Sequence, residues 1–107
     1  MIRAVLDTNV FVSALFWRGA PYEVVKLGFG GVFAIVISQE ILDEIAEKLA
    51  NKFKVPHPDV RAFTSTIMAS SHMTIPSMSL TVVPDDSTDN KIIEAAVSGR
   101  ADFVVSG

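Results

Sequence analysis

The stretch of sequence that decides the fold is residues 2–9, which read IRAVLDTN. The run at 2–6 is short and mostly apolar, and polar residues follow it abruptly. A short apolar run of this kind predicts a buried strand. Thr8 and Asn9 are good helix-capping residues, so we expect the strand to lead directly into a helix. Asp7 would then lie where the strand ends.

Outward from this stretch, apolar strand-like runs alternate with helical patterns along the whole chain. Further strands are predicted at 32–37, 80–83 and 103–105, and helices at 21–27, 39–52, 59–70 and from Ser87 to about residue 98. We expect Gly28, Gly30 and Gly31 to end the second helix. Such alternation predicts a mostly parallel sheet covered by helices, a three-layer α/β/α fold.

Length and composition limit the classes of protein that the chain can belong to. Its 107 residues suit a single domain, and half of them are hydrophobic. There is no cysteine, which excludes disulfides and thiolate metal sites and fits a cytoplasmic protein. No apolar run is long enough to span a membrane. The formal net charge of −3 argues against a strongly basic nucleic-acid binder.

Carboxylates follow three of the predicted strands. Asp7 ends the first strand, Glu44 lies on the helix after the second, and Asp89 opens the helix after the third. In an open parallel sheet, functional groups gather at the carboxyl ends of the strands. Because clustered carboxylates repel one another unless a cation binds them, oxygen ligands without cysteine indicate Mg²⁺ or Mn²⁺.

Each acid also has an ordinary structural interpretation. Asp7 could cap the first helix, and Asp89 could simply favour the helix dipole. Glu44 could be a solvated helix acid, because a helical wheel places it beside Glu40 and Glu47 and away from the apolar stripe. Residue by residue, these interpretations are at least as good as a catalytic one. The case for a site therefore depends on convergence of the three acids.

The whole pattern resembles the PIN-domain family, and most closely the VapC-like toxins of toxin–antitoxin pairs. The matching stretches are VLDTNV at 5–10 with Ser13 and Ala14, SQEILDEI at 38–45, PDDSTDNK at 84–91 and ADFVVSG at 101–107. Each motif alone is weak, but four in the right order are fairly specific. The resemblance implies one PIN-like domain over residues 1–107.

The resemblance also implies a role for individual residues. Asp7, Glu44 and Asp89 would be the catalytic acids and metal ligands, with Asp85 and Asp86 as weaker candidates. Glu44, rather than Glu40 or Asp43, would be the acid on its helix. Groups supporting the ligands or the attacking water would be Asn9, Ser13 and Ser106. Weaker candidates for contacts to the RNA backbone are Arg18, Lys48, Lys52, Lys54 and Lys91.

The activity that the resemblance implies is hydrolysis of RNA phosphodiester bonds with Mg²⁺ or Mn²⁺ as cofactor. The implied partners are an RNA substrate and a cognate antitoxin protein. We also expect a homodimer, because Phe11, Phe16, Trp17 and Tyr22 cluster near the first two helices. Family members usually carry a fourth aspartate after the Ser-Gly pair that ends this chain. We therefore expect the chain to lack a last strand and helix, and the gene to continue with aspartate at position 108.

Two other classes of protein remain open on the sequence. A phosphatase with Asp7 as nucleophile would need a second aspartate two residues later, where this chain has Asn9. A phospho-acceptor domain would need an acidic pair before Asp7, and none is present. The other alternative is a catalytically decayed PIN-like module that binds RNA or protein, which the absent fourth acid favours. Metal binding that depends on Asp7 would distinguish the nuclease from this module.

Overall fold

The protein folds around a small parallel sheet. The structure, a computed structural model, describes residues 1–76 and 87–106, without the side chains of 87–89. Its strands are β1 (Arg3–Leu6), β2 (Ala34–Ile37), β3 (Ser71–Met73) and β4 (Phe103–Val105). Its α-helices are α1 (Thr8–Phe16), α2 (Ala20–Phe29), α3 (Gln39–Glu47), α4 (His57–Ser70) and α5 (Ser87–Ser98), and a π-helical turn (Lys48–Lys52) follows α3.

The described strands form one sheet in the order β3-β2-β1-β4, with every neighbouring pair parallel. β1 is therefore central, with β2 on one side and β4 on the other. Val5 pairs with Val36 of β2 and with Val104 of β4. All three apolar residues at the end of β1 are buried, as expected for a strand covered on both faces.

Two successive residues of β2 show that helices cover both faces of the sheet. Neighbouring side chains in a strand point to opposite faces. Ile35 packs against the backbone of α2 at Gly28, whereas Val36 packs against Gly99, directly after α5. Helix α5 contacts β1, β2 and β4, while α2 contacts α1 and α4. The three-layer α/β/α fold predicted from the sequence is thus confirmed.

Several local predictions need correction. The short strand β3 was not predicted, because its residues Ser71–Met73 are polar or half-exposed and form no apolar run. The strand predicted at 80–83 lies outside the described residues. Gly28 does not end the second helix but lies within it, because α2 needs a residue without a side chain against Ile35.

The beginning and end of the other helices differ less from prediction. Helix α1 begins at Thr8, so Asp7 occupies the capping position that we predicted for Thr8 or Asn9. The helix predicted at 39–52 is continuous, but its last turn is π-helical. Phe11 belongs to the core, with no exposed surface, so it contributes no aromatic surface for a partner. None of the described helices is long and apolar enough to cross a membrane.

The contact between Gly99 and β2 yields a test of the packing. A Cβ atom at position 99 would lie 2.3 Å from Val36 Cγ1 and 2.9 Å from the Ala95 carbonyl oxygen. We expect Gly99→Ala to lower the free energy of unfolding by about 1–3 kcal/mol, because this close packing leaves no room for a methyl group. Urea denaturation followed by circular dichroism measures the change.

Gly30→Ala is the matched control for this substitution. A Cβ atom at position 30 meets its nearest neighbour, the Lys26 carbonyl oxygen, at 3.4 Å, which is ordinary contact. Its backbone is right-handed helical, so alanine fits there without strain. We expect Gly30→Ala to be neutral or slightly stabilising. Equal losses of stability in the two variants would contradict the close packing of α5 on the sheet.

Candidate active site

Asp7 lies at the junction of the central strand and α1. Its backbone N–H donates to the Val105 carbonyl oxygen at 2.9 Å, which ties the end of β1 to the end of β4. Asp7 occupies the capping position of α1, yet its side chain makes no capping hydrogen bond. Its Oδ1 atom is buried and has no hydrogen-bond partner among the described residues. The ordinary role of a helix cap therefore does not account for this carboxylate.

Glu44 is the acid of α3 that the fold draws inward. Its side chain is 11% exposed, whereas Glu40 and Asp43 are exposed. Asp43 accepts a hydrogen bond of 2.8 Å from Gln39 Nε2, a local contact on the helix surface. The helical wheel did not distinguish Glu44, because it does not include Lys91, which contacts Glu44 from α5. That distinction appears only in three dimensions.

Two lysines contact the Glu44 carboxylate, and an asparagine contacts one of these lysines. Lys91 Nζ on α5 lies 3.4 Å from Glu44 Oε2, and Lys48 Nζ lies 4.0 Å from Glu44 Oε1. Lys48 Nζ also donates to Asn9 Oδ1 in the first turn of α1, at 3.1 Å. This chain of contacts, Asn9–Lys48–Glu44–Lys91, joins α1, α3 and α5. We call it the lysine–glutamate network.

The predicted three-acid set stays a prediction. Asp89 lies in the first turn of α5, two residues before Lys91, but its side chain is outside the described part of the structure. Asp85 and Asp86 also fall outside the described residues. Among the side chains that are described, no group of three acids or histidines is placed to hold a metal ion. What the structure does join, through Lys91, is Glu44 and the start of α5.

The remaining predicted residues fall into two groups. Ser13 is half-buried on α1, one turn after Asn9 and thus on the same helix face. Ser106 is exposed and directly follows Val105, whose carbonyl oxygen accepts from Asp7. Ser106 is therefore at the carboxyl end of β4, whereas Ser13 lies further along α1. Their proposed support of ligands or water stays a prediction.

The cations predicted to contact RNA are not equivalent. The Arg18 guanidinium lies 4.2 Å from the centre of the Tyr22 ring, and Lys52 Nζ lies 5.6 Å from that of Phe53. Lys54 is exposed and has a positive φ of 54°. Lys48 and Lys91, by contrast, contact Glu44. Sequence reasoning missed this role, although the i, i+4 spacing of Glu44 and Lys48 carried a signal for it.

The donor set fits a hard divalent cation. Asp7 supplies a buried carboxylate oxygen that the described residues leave without a hydrogen bond, and Glu44 supplies a second, largely buried carboxylate. Asn9 in the first turn of α1 is predicted to support these ligands, and its amide oxygen accepts from Lys48. Mg²⁺ and Mn²⁺ prefer such oxygen ligands, whereas Zn²⁺ sites usually use nitrogen and sulfur.

The structure defines a parallel α/β/α domain with the carboxylate of Asp7 at the carboxyl end of its central strand. The family model described as PIN domain matches residues 3–107, so the chain belongs to the PIN-domain family. A search of curated proteins found no match. PIN domains are typically nucleases that bind RNA and generally use divalent metal ions. The family therefore indicates a nuclease.

The contribution of Asp7 to stability can be compared with that of Ser38, which caps α3 through a side-chain hydrogen bond. Replacing a capping residue by alanine usually costs about 0.5–2 kcal/mol. We expect Asp7→Ala to leave the stability of the metal-free protein unchanged or higher. The cost of a buried oxygen without a partner, about 1–3 kcal/mol, offsets any favourable interaction with the helix dipole.

Ser38→Ala is the matched control, because Ser38 caps α3 and its Oγ accepts from the Ile41 N–H at 3.3 Å. We expect this variant to lose about 1 kcal/mol in urea denaturation in the presence of EDTA. A similar loss in Asp7→Ala would mean that Asp7 is an ordinary helix cap.

Proposed function

We propose that the protein is a metal-dependent endoribonuclease that hydrolyses RNA phosphodiester bonds and serves as the toxin of a toxin–antitoxin pair. The observation that carries the proposal is Asp7, whose buried carboxylate oxygen lies at the end of the central strand without a hydrogen bond from the described residues. An arrangement that costs stability and is placed at the functional edge of the sheet is typical of an active site.

Asp7, Glu44 and Asp89 would hold the metal ion, with Asn9 as a supporting amide. When bound, Mg²⁺ or Mn²⁺ would supply an activated water and offset negative charge that develops on the phosphate. The chain's own groups would orient the substrate. Lys48 and Lys91 are the described ammonium groups that contact Glu44, so they are best placed to meet a phosphate bound there.

Metal binding tests the assignment of the acids. We expect Asp7→Asn and Glu44→Gln to weaken Mn²⁺ binding by at least ~10-fold, because each variant removes a charged ligand. Isothermal titration with Mn²⁺ measures the affinity, and cleavage of a generic single-stranded RNA measures the activity. Glu40→Gln is the control, since Glu40 lies on the same helix but is exposed.

The outcomes of this titration separate the nuclease from the alternative function. Wild-type protein that binds no Mn²⁺ at millimolar concentration either with or without RNA, or that binds RNA without cleaving it, would favour a decayed binding module. Equal losses in Glu40→Gln and Glu44→Gln would refute the choice of Glu44 as the acid of α3.

The toxin role implies an antitoxin, which the proposal places in the neighbouring reading frame. Expression of the toxin alone should arrest growth of a bacterial host, and coexpression of that frame should restore it. Asp7→Asn should remove the arrest without the antitoxin, because it removes the proposed metal site. Growth arrest that persists in this variant would show that the toxicity does not arise from RNA hydrolysis.

We propose that the protein forms a homodimer through exposed aromatic side chains at the end of the first helix. Phe16 is 39% exposed and Trp17 is 60% exposed. The two rings pack edge to face at 5.6 Å, and Phe16 also contacts Phe53. Large exposed apolar groups that lie together are typical of interaction surfaces. Because Phe11 is in the core, this smaller set carries the proposal.

Sedimentation velocity at micromolar concentration tests the homodimer. We expect the wild-type protein to sediment as a dimer and Trp17→Ser to shift it toward the monomer. Val97→Ser is the control, because Val97 is equally exposed but lies on α5, in another layer of the fold. A monomeric wild-type protein, or equal shifts in both variants, would contradict the proposed interface.

A further inference from the structure

The Glu44 carboxylate lies between two ammonium groups that reach it from different elements. Lys91 Nζ is 3.4 Å from one of its oxygens and Lys48 Nζ is 4.0 Å from the other. The glutamate side chain is 11% exposed, whereas those of Lys48 and Lys91 are 32% and 28% exposed. The acid is thus fixed inside the protein, while both cations keep part of their surface in solvent.

This arrangement conflicts with the role proposed for Glu44. A divalent cation bound by Glu44 would share its immediate surroundings with two positive charges. Like charges at such distances repel strongly where water is partly excluded. The lysines therefore lower the affinity of the site for metal as long as they stay on the carboxylate. Lys48 has a further effect, because it also occupies the Asn9 amide oxygen at 3.1 Å.

The two lysine side chains are more exposed than that of Glu44 and can reach other partners. Each has a four-carbon stem with rotatable bonds and part of its side chain in solvent. An ammonium group that leaves a carboxylate needs another anion, or water, as its partner. A phosphodiester of the substrate is such an anion, and in the proposed nuclease it would bind beside Glu44.

We propose that Lys48 and Lys91 are exchangeable counter-ions of Glu44, which pass from the carboxylate to the phosphate of RNA when metal binds. This inference rests on the proposed function. In this proposal Lys48 and Lys91 are positioning residues that pair first with Glu44 and then with the phosphate of RNA. Without RNA, they neutralise Glu44 and hold Asn9; with RNA, they neutralise the substrate and release oxygen ligands to the cation.

The exchange predicts that metal and RNA bind cooperatively. RNA draws the lysines away from Glu44 and so raises the affinity for metal. By thermodynamic linkage, metal raises the affinity for RNA by the same factor. The site would hold little metal in the absence of substrate, although its carboxylates are in place.

The test measures Mn²⁺ affinity with and without a 2′-O-methyl single-stranded oligonucleotide, which is checked for integrity afterwards. Electron paramagnetic resonance of free Mn²⁺ reports binding independently of activity. For wild-type protein we expect the oligonucleotide to tighten Mn²⁺ binding by about 10-fold or more, as for typical coupled sites. Lys48→Met and Lys91→Met should bind Mn²⁺ several-fold more tightly than wild type without the oligonucleotide, and should gain less from adding it.

Two further variants serve as controls. One keeps the positive charge at position 48, and the other removes a positive charge elsewhere on the surface. Lys48→Arg keeps the positive charge, so it should retain weak Mn²⁺ binding and most of the coupling. Lys26→Met removes a charge from an exposed position on α2, away from the lysine–glutamate network, and should match the wild type. Urea denaturation in EDTA confirms that each variant is folded.

The exchange is overturned if wild-type protein binds Mn²⁺ and the oligonucleotide independently. It is also overturned if Lys48→Met and Lys91→Met bind Mn²⁺ as wild type does or more weakly, since the lysines would then be neutral or would help to hold the ligands. Either result leaves the proposed nuclease intact. Wild-type protein that binds no Mn²⁺ in any condition overturns the proposed function and the exchange together.

Discussion

The pairing of β1 on both of its sides is the constraint on which the rest of the structure depends. Because β2 and β4 both hydrogen-bond to this strand in parallel, its carboxyl end is held in the middle of one edge of the sheet. The Asp7 N–H continues the ladder to Val105, and α1 begins at the next residue. The backbone of Asp7 is therefore held at this edge of the sheet, where its Oδ1 atom is buried without a hydrogen bond from the described residues.

The electrostatics of the site follow from this fixed position. Asp7 lies directly before α1 and Glu44 lies on α3, and the two lysines of the lysine–glutamate network offset the negative charge of Glu44. A nuclease must bind a polyanion at a cluster of acids, which a protein of net charge −3 cannot do by long-range attraction alone. Local cations, either ammonium groups or metal ions, are the physical solution. The structure shows the ammonium groups in place around Glu44.

The sequence was sufficient for the fold class and for the central strand, because buried parallel strands are short apolar runs that depend little on their surroundings. It was insufficient for β3, whose residues Ser71–Met73 are half-buried or exposed and form no apolar run, although they pair with β2. Family motifs selected Glu44, but helical periodicity did not, since the contact of Glu44 with Lys91 joins helices distant in the chain. The spacing of Glu44 and Lys48 gave a local signal, but the contact between Lys48 and Asn9 was beyond sequence reasoning because the two residues are 39 positions apart.

Gly28 and Gly99 have a consequence for how the sheet tolerates change. They face successive residues of β2 from opposite layers. Gly28 leaves room for the side chain of Ile35, and Gly99 leaves room for that of Val36. If β2 slipped by one residue, every side chain would exchange faces, and neither glycine would meet the side chain that it accommodates. The two bare backbone positions thus specify strand alignment from both sides. In related sequences, a larger residue at position 28 should be accompanied by a smaller one at position 35, because Gly28 is crowded by side chains alone. Position 99 should stay glycine, because a side chain there would also meet the Ala95 carbonyl oxygen.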